Sequence, residues 1–132
     1  MQIRQSVEFS ASPPEVYNAL MDSKLHSQFT GSKAAISKKV GGKFSAYDGS
    51  IRGTNLELEA GKKIVQKWHI DDEGWPKGHF SKAVFLFSKS KGGTKLAFAH
   101  TGVPQAAYKG IRQGWIDFYW EPLKAMLANK PA

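Results

Sequence analysis

Cysteine is absent from the 132 residues. That excludes disulfides, thiolate metal centres, iron–sulfur clusters and cysteine nucleophiles together. It fits a reducing compartment, and the expected location is the cytosol. Arginine is scarce: only Arg4, Arg52 and Arg112 accompany sixteen lysines. Sequence-specific readers of bases and phosphates lean on guanidinium forks, so no specific nucleic-acid partner is expected. No apolar run approaches the roughly 18 residues of a membrane span. The first nine residues alternate polar and apolar side chains and lack the apolar run of a signal peptide. Internal repeats, linkers and low-complexity tracts are also missing. The motif inventory is equally sparse, with no G-x-S-x-G elbow, P-loop or dinucleotide fingerprint, so no cofactor is expected.

What is present is the composition of one globular domain spanning residues 1–132, expected to be monomeric. Hydrophobic residues make up 41% and charged residues 23%, and a chain of this length buries roughly two-thirds of its unfolded surface. The net charge is +8. A diffuse, lysine-rich positive surface serves either solubility alone or steering toward an acidic partner.

Ile3, Val7 and Phe9 alternate with polar residues and predict a first strand, with Gln5 standing where an apolar residue would fit. Ser12-Pro13-Pro14-Glu15 is a capping box with proline at the first helical positions. Val16, Ala19 and Leu20 then mark a short helix to about Met21. A second short helix, capped by Asp22 or Ser23, has Leu25 and Phe29 as its buried pair and ends at Thr30-Gly31. From Lys33 to Thr101 the period changes to two. Weak strand character at residues 35–37 is followed by strands over 43–47 and 50–53, joined by the two-residue hairpin signal Asp48-Gly49. Further strands follow around Leu56 and Leu58, over 64–70, over 79–87 and over 94–101. Residues 104–127 return to helical spacing, with Tyr108, Ile111, Trp115, Phe118 with Tyr119, Leu123 and Met126 as the inward stripe and Trp120 pointing elsewhere. Gly110 and Gly114 share one helix face, which lets something approach the backbone closely. Pro122 removes the amide bond to the Phe118 carbonyl and predicts a kink. This order makes a two-layer α+β domain: a curved antiparallel sheet of six to seven strands gripping a long C-terminal helix, with two short helices after the first strand.

Catalytic chemistry finds little footing. Glu57 and Glu59 alternate with Leu56 and Leu58 and point away from them into solvent. Asp71-Asp72-Glu73 is a loop cluster. The histidines are His26, His69, His79 and His100; His69 and His79 bracket one loop with Asp71 nearby, but no metal-ligand spacing is recognisable, so no metal is expected. Gln66, His100 and the Tyr119 hydroxyl are the inward polar groups. The tryptophans either fill the core or, with the curled sheet, leave an aromatic-lined gap able to hold a small hydrophobic ligand. The candidate lining is Phe44, Trp68, Phe98, Trp115 and Tyr119, with Trp115 and Tyr119 facing Trp68 and Phe98. Trp75, in a polar loop beside Pro76, either folds onto the sheet end or stands exposed as a contact anchor.

Several strings occur together in order: Gly41-Gly42-Lys43-Phe44, Asp48-Gly49 with Ile51 and Gly53, Ile64-Val65-Gln66-Lys67-Trp68, Trp75-Pro76-Lys77-Gly78-His79-Phe80 and Arg112-Gln113-Gly114-Trp115. With the Ser12-Pro13-Pro14-Glu15-Val16-Tyr17 helix start, they resemble the C-terminal domain of the activator of the 90-kDa heat-shock chaperone ATPase, over residues 3 to 127. That domain belongs to the helix-grip superfamily, similar to the major birch-pollen allergen and steroidogenic lipid-transfer domains. The resemblance implies the fold read from periodicity. It also implies a co-chaperone, not an enzyme, that binds the chaperone's N-terminal domains and favours their closed pairing. The family's activators carry a larger N-terminal domain that docks on the chaperone's middle segment, whereas this chain begins directly at the C-terminal type; weak stimulation by it alone is therefore expected. The candidate partner contacts are Lys39 and Lys43 beside the glycine turn, Trp75 and Lys77 in the loop, and Arg112 on the helix, the last being either interface or structural. The alternative function is carriage or sensing of a small hydrophobic ligand.

Overall fold

The computed structural model describes residues 1–128; the expected domain end at Ala132 lies outside them. The chain enters through β1 (Ile3–Phe9) and reaches the capping box, where the Ser12 side chain accepts from the Glu15 amide and Glu15 returns to the Ser12 amide, starting α1 (Pro13–Met21). The Asp22 carboxylate then caps α2 (Ser23–Thr30) by accepting from the Leu25 amide at 3.0 Å, and that bond holds its pKa below the ordinary value. Gly31 closes α2 in the left-handed conformation, at φ 73°. The buried pair of α2 is His26 and Phe29, with Leu25 only half-buried. The correction follows from Tyr119, whose hydroxyl offers His26 a partner inside the core.

Seven strands follow one antiparallel sheet. After β1 come β2 (Ala35–Ile36), β3 (Lys43–Ala46), β4 (Ile51–Glu59), β5 (Lys63–Ile70), β6 (Ser81–Ser90) and β7 (Gly93–Thr101), in the spatial order β1-β7-β6-β5-β4-β3-β2. Two details depart from the sequence reading. Asp48-Gly49 is not a two-residue hairpin: Ala46 pairs with Ile51, leaving four connecting residues. Tyr47, Asp48 and Gly49 all have positive φ. Tyr47 leaves the strand because its hydroxyl donates to the Phe118 carbonyl at 2.7 Å. In β4 the register shifts between Asn55 and Glu57, so Leu56 is the extra residue of a bulge and lies exposed. Leu58 faces inward, and Glu57 and Glu59 reach solvent as expected, pairing with Lys63 and Lys62. Strand β6 begins two residues later than predicted, at Ser81.

One glycine is demanded by packing. Gly53 sits between Phe44 and Trp68 across β3, β4 and β5. A Cβ there would overlap the Lys67 carbonyl and stand 2.8 Å from the Phe44 ring.

The C-terminal helix covers the inner face of the sheet. It runs as α3 (Tyr108–Trp115), a single π-helical turn (Ile116–Trp120) and α4 (Glu121–Ala128). A short 3₁₀ turn, Gln105–Ala107, precedes it where helix was expected from residue 104. The π turn is how the helix absorbs Pro122. Proline offers no amide to the Phe118 carbonyl. The Glu121 amide reaches back to Ile116, and the Tyr47 hydroxyl takes up the freed carbonyl. The wider turn also changes the helix phase. Phe118, predicted inward, is 57% exposed, whereas Trp120, predicted to point elsewhere, is buried and stacks on Trp115 at 5.5 Å and 18°. Downstream the core position is Leu127, with Met126 half-buried. Gln5 finds its reason here: its side-chain oxygen accepts from the Trp120 indole at 2.7 Å, and its amide donates to the Arg112 carbonyl at 3.0 Å.

Candidate functional site

Between helix and sheet the space is filled by aromatic rings. Trp115 lies 4.5 Å from Phe98, 5.6 Å from Trp68 and 4.6 Å from Tyr119, centroid to centroid. The expected facing of Trp115 with Trp68 and Phe98 is therefore present, whereas the Tyr119 ring packs on Trp115, His26 and Phe29. A gap lined by all five predicted residues is not present. Phe44, Trp68, Trp115 and Tyr119 border an inner void of about 20 Å³, which Phe98 does not line. That volume has room for about one water molecule. The rings interlock because the π turn delivers Tyr119 and Trp120 inward in succession.

The three polar groups predicted to face inward are all engaged. The Trp115 indole donates to His100 Nδ1 at 3.0 Å, which makes His100 Nε2 the protonated nitrogen; it donates to Ser81 Oγ at 2.7 Å, and Ser81 donates to the Trp68 carbonyl at 3.1 Å. Burial disfavours the imidazolium and drops the His100 pKa to about 3. The Tyr119 hydroxyl donates to His26 Nε2 at 3.2 Å, while His26 Nδ1 donates to the Leu20 carbonyl at 2.9 Å. Burial lowers the His26 pKa and raises that of Tyr119. Gln66 donates to Asn55 at 3.1 Å, and Asn55 donates to the carbonyls of Ser37 and Lys39. Among the described residues no buried side-chain nitrogen or oxygen lacks a partner.

His69 and His79 do not share a ligand position. His69 Nδ1 meets the backbone carbonyl of His79 at 2.9 Å, and His79 Nε2 meets the Gly102 carbonyl at 2.7 Å. Asp71 accepts from Arg52 at 2.7 Å, and this bond holds its carboxyl below the ordinary range. No grouping of three His, Asp or Glu side chains able to hold a metal occurs among the described residues.

An open cleft does exist, at the side of the helix that carries the two glycines. It measures about 250 Å³ and is bounded by Tyr47, Ile51, Trp68, Ile70, Gly110, Gly114, Trp115, Phe118 and Tyr119, so three of the predicted lining residues, Trp68, Trp115 and Tyr119, border it. Among the described residues, its own helical turn aside, nothing approaches Gly110 within 4 Å of where a Cβ would stand, and a Cβ on Gly114 would meet the Phe118 ring at 3.7 Å. The close approach to the backbone that the spacing of these glycines suggested does not occur among the described residues; they keep the cleft open instead. Tyr47, Ile51, Ile70 and Phe118 were not identified as cleft residues in the sequence; the four-residue spacing of the glycines was the available signal. Burial pushes the Tyr47 phenol up to about 12.

The predicted contact residues divide. Trp75 is 7% exposed; it folds onto the sheet end, with its ring 5.4 Å from Trp68 and its indole donating to the His79 carbonyl at 2.9 Å. It is a core residue and not an exposed anchor, because the ring and its single N–H both find partners under the loop. Lys39, Lys43, Lys77 and Arg112 are exposed. They do not form one patch. The Lys39 turn bonds to Asn55, while the Lys77 loop follows Ile70, the partner of Ile51. Four residues of β4 separate these ends, about 13 Å at strand rise.

A curved antiparallel sheet closed over a long C-terminal helix, with short helices after the first strand, defines the helix-grip class. Within that class the chain belongs to the family described as activator of Hsp90 ATPase homolog 1-like protein, whose model matches residues 10–128. A human relative, activator of 90 kDa heat shock protein ATPase homolog 1, is 34% identical over 88% of this chain and 34% of its own length. A Dictyostelium discoideum homologue is 37% identical over 82% of this chain and 28% of its own. The chain thus spans about a third of the length of these curated relatives. Among solved structures, an HSP90 activator from Plasmodium falciparum superposes with a TM-score of 0.89 at 28% identity, covering 97% of this chain and 96% of that one. No helix among the described residues is long and apolar enough to cross a membrane.

Proposed function

We propose that this domain is a co-chaperone module: it binds the 90-kDa heat-shock chaperone, favours its N-terminal domains, and modulates its ATPase without being an enzyme itself. The observation that carries this reading is the match to relatives named as activators of that ATPase, over nearly the whole chain. Two physical features support it. The +8 charge favours encounter with an acidic partner, and the interior His26, His100, Gln66 and Tyr119 side chains are committed to internal hydrogen bonds. The domain matches about a third of the length of each curated activator, and in this reading it stimulates only weakly when added by itself. Lys39, Lys43, Lys77 and Arg112 remain the proposed contacts. The test adds the domain to purified chaperone dimer and follows ATP turnover, with the domain alone as blank. A small, saturable and salt-sensitive rise supports the reading; unchanged turnover without detectable binding refutes it.

A second reading rests on the 250 Å³ cleft beneath two glycines that no packing requires. It takes a small hydrophobic ligand, near the lower limit of about 300 Å³ usual for small-molecule pockets. Quenching of Trp68 and Trp115 fluorescence by a medium-chain fatty acid, lost when Gly114→Leu fills the cleft, would favour it.

A further inference from the structure

The face of the sheet turned away from the helix carries a feature that the sequence pattern did not reveal. Lys43 pairs with Thr54, Thr54 with Lys67, Lys67 with Lys82, and Lys82 with Thr101, so these five residues form one continuous row across β3 to β7. Directly paired residues point to the same face, and the inward neighbours Phe44, Trp68 and Ser81 fix that face as the outer one. At about 4.8 Å between strands, Lys43 and Lys82 stand about 14 Å apart with Lys67 between them. All three lysines are exposed, and none has an ion-pair partner among the described residues. The carboxylates bordering the row are already taken: Glu57 by Lys63 at 3.4 Å and Asp71 by Arg52 at 2.7 Å. Lys67 and Lys82 are direct cross-strand neighbours, a pairing of like charges that repels. One edge of the row is apolar, with the Phe80 ring 42% exposed and 4.4 Å from the Lys67 ammonium.

We propose that the row formed by Lys43, Lys67 and Lys82 on the outer sheet face is the surface on which the domain receives a carboxylate-rich face of its protein partner. The inference rests on the co-chaperone reading and adds to it the surface and the chemistry of the contact. The row presents point charges without the guanidinium forks that read base edges, and charge complementarity of this kind steers a carboxylate-rich protein face onto it. Sequence reasoning found only Lys43, since Lys67 and Lys82 lie fifteen residues apart in sequence and meet only through the β5–β6 register.

The test compares two triple variants of equal charge in titrations against the purified chaperone at low and physiological salt. One carries Lys43→Gln, Lys67→Gln and Lys82→Gln; the other carries Lys24→Gln, Lys109→Gln and Lys124→Gln, three exposed lysines on helices. Urea midpoints establish that both remain folded. The row variant should bind about tenfold more weakly at low salt and lose most of the salt dependence, while the control changes by less than about threefold. Equal weakening by both variants, or by neither while the parent binds, overturns the assignment of the surface and leaves the co-chaperone reading intact. A parent that does not bind at all overturns both. Row-dependent capture of phosphatidylserine vesicles or of a DNA duplex at physiological salt would overturn the assignment to a protein partner.

Discussion

Acid should weaken this fold well before its carboxylates titrate, and His100 is the reason. It is fully buried, receives the Trp115 indole on Nδ1, and gives its only proton to Ser81. Burial disfavours the charged ring, so the folded state keeps it neutral down to a pKa of about 3, against an ordinary value of 6.5, and a second proton on Nδ1 would also face that indole. Between those values the unfolded chain binds more protons than the folded one, so stability is full above about pH 6.5 and is lost as pH falls toward about 3. The slope approaches about 1.4 kcal/mol per pH unit for one such group. At pH 5 an unfolded histidine is protonated by about thirty to one while His100 is still neutral, so the fold loses about 2 kcal/mol relative to pH 8. His26, buried and lowered in the same direction, adds to that loss. The carboxyl groups of Asp22 and Asp71, both lowered, contribute stability above the unfolded value of 3.8 that falls away only below it, outside this window. Urea unfolding at constant ionic strength from pH 8 to pH 5 reads the effect. His100→Gln should lower stability at pH 8, yet flatten the pH dependence. A loss below about 0.5 kcal/mol between pH 8 and 5, or an imidazole nitrogen spectrum showing His100 charged at pH 5, would refute the hydrogen-bond assignment.

Other substitutions separate packing from cleft. Trp115→Ala should cost about 3–5 kcal/mol in urea unfolding, since the ring is central to the aromatic core and its loss also orphans His100; a cost below about 1 kcal/mol would contradict that placement. Gly53→Ala should be more damaging than its size suggests, because the added Cβ meets the Lys67 carbonyl; an unchanged melting temperature would show that the strands can part there. Gly110→Ala should instead stabilise by about 0.5–1 kcal/mol through helix propensity, since nothing stands near the new methyl. A destabilised Gly110→Ala would mean that the cleft closes in solution.

Strand alternation and the capping box made the architecture legible from sequence, because both are local patterns with one dominant physical cause. The departures share a different origin, contacts distant along the chain. Tyr47 lies seventy-one residues from the Phe118 carbonyl it satisfies, and that bond both opens the Asp48-Gly49 hairpin and steadies the π turn. Pro122 signalled a disturbance, but not that the helix would widen and bring Trp120 to the core in place of Phe118. Trp75 was read among polar neighbours, and only the loop's path over Trp68 and His79 shows that it is buried. The lysine row was invisible for the same reason as the bulge at Leu56: register sets which residues share a face.

The proposed engagement of the chaperone rests on charge. It is read by titrating the domain into the isolated N-terminal domain of the chaperone, held with a non-hydrolysable nucleotide, at two salt concentrations. Saturable binding that weakens as salt rises is the expected result. No binding at either concentration, with the domain folded, would contradict it.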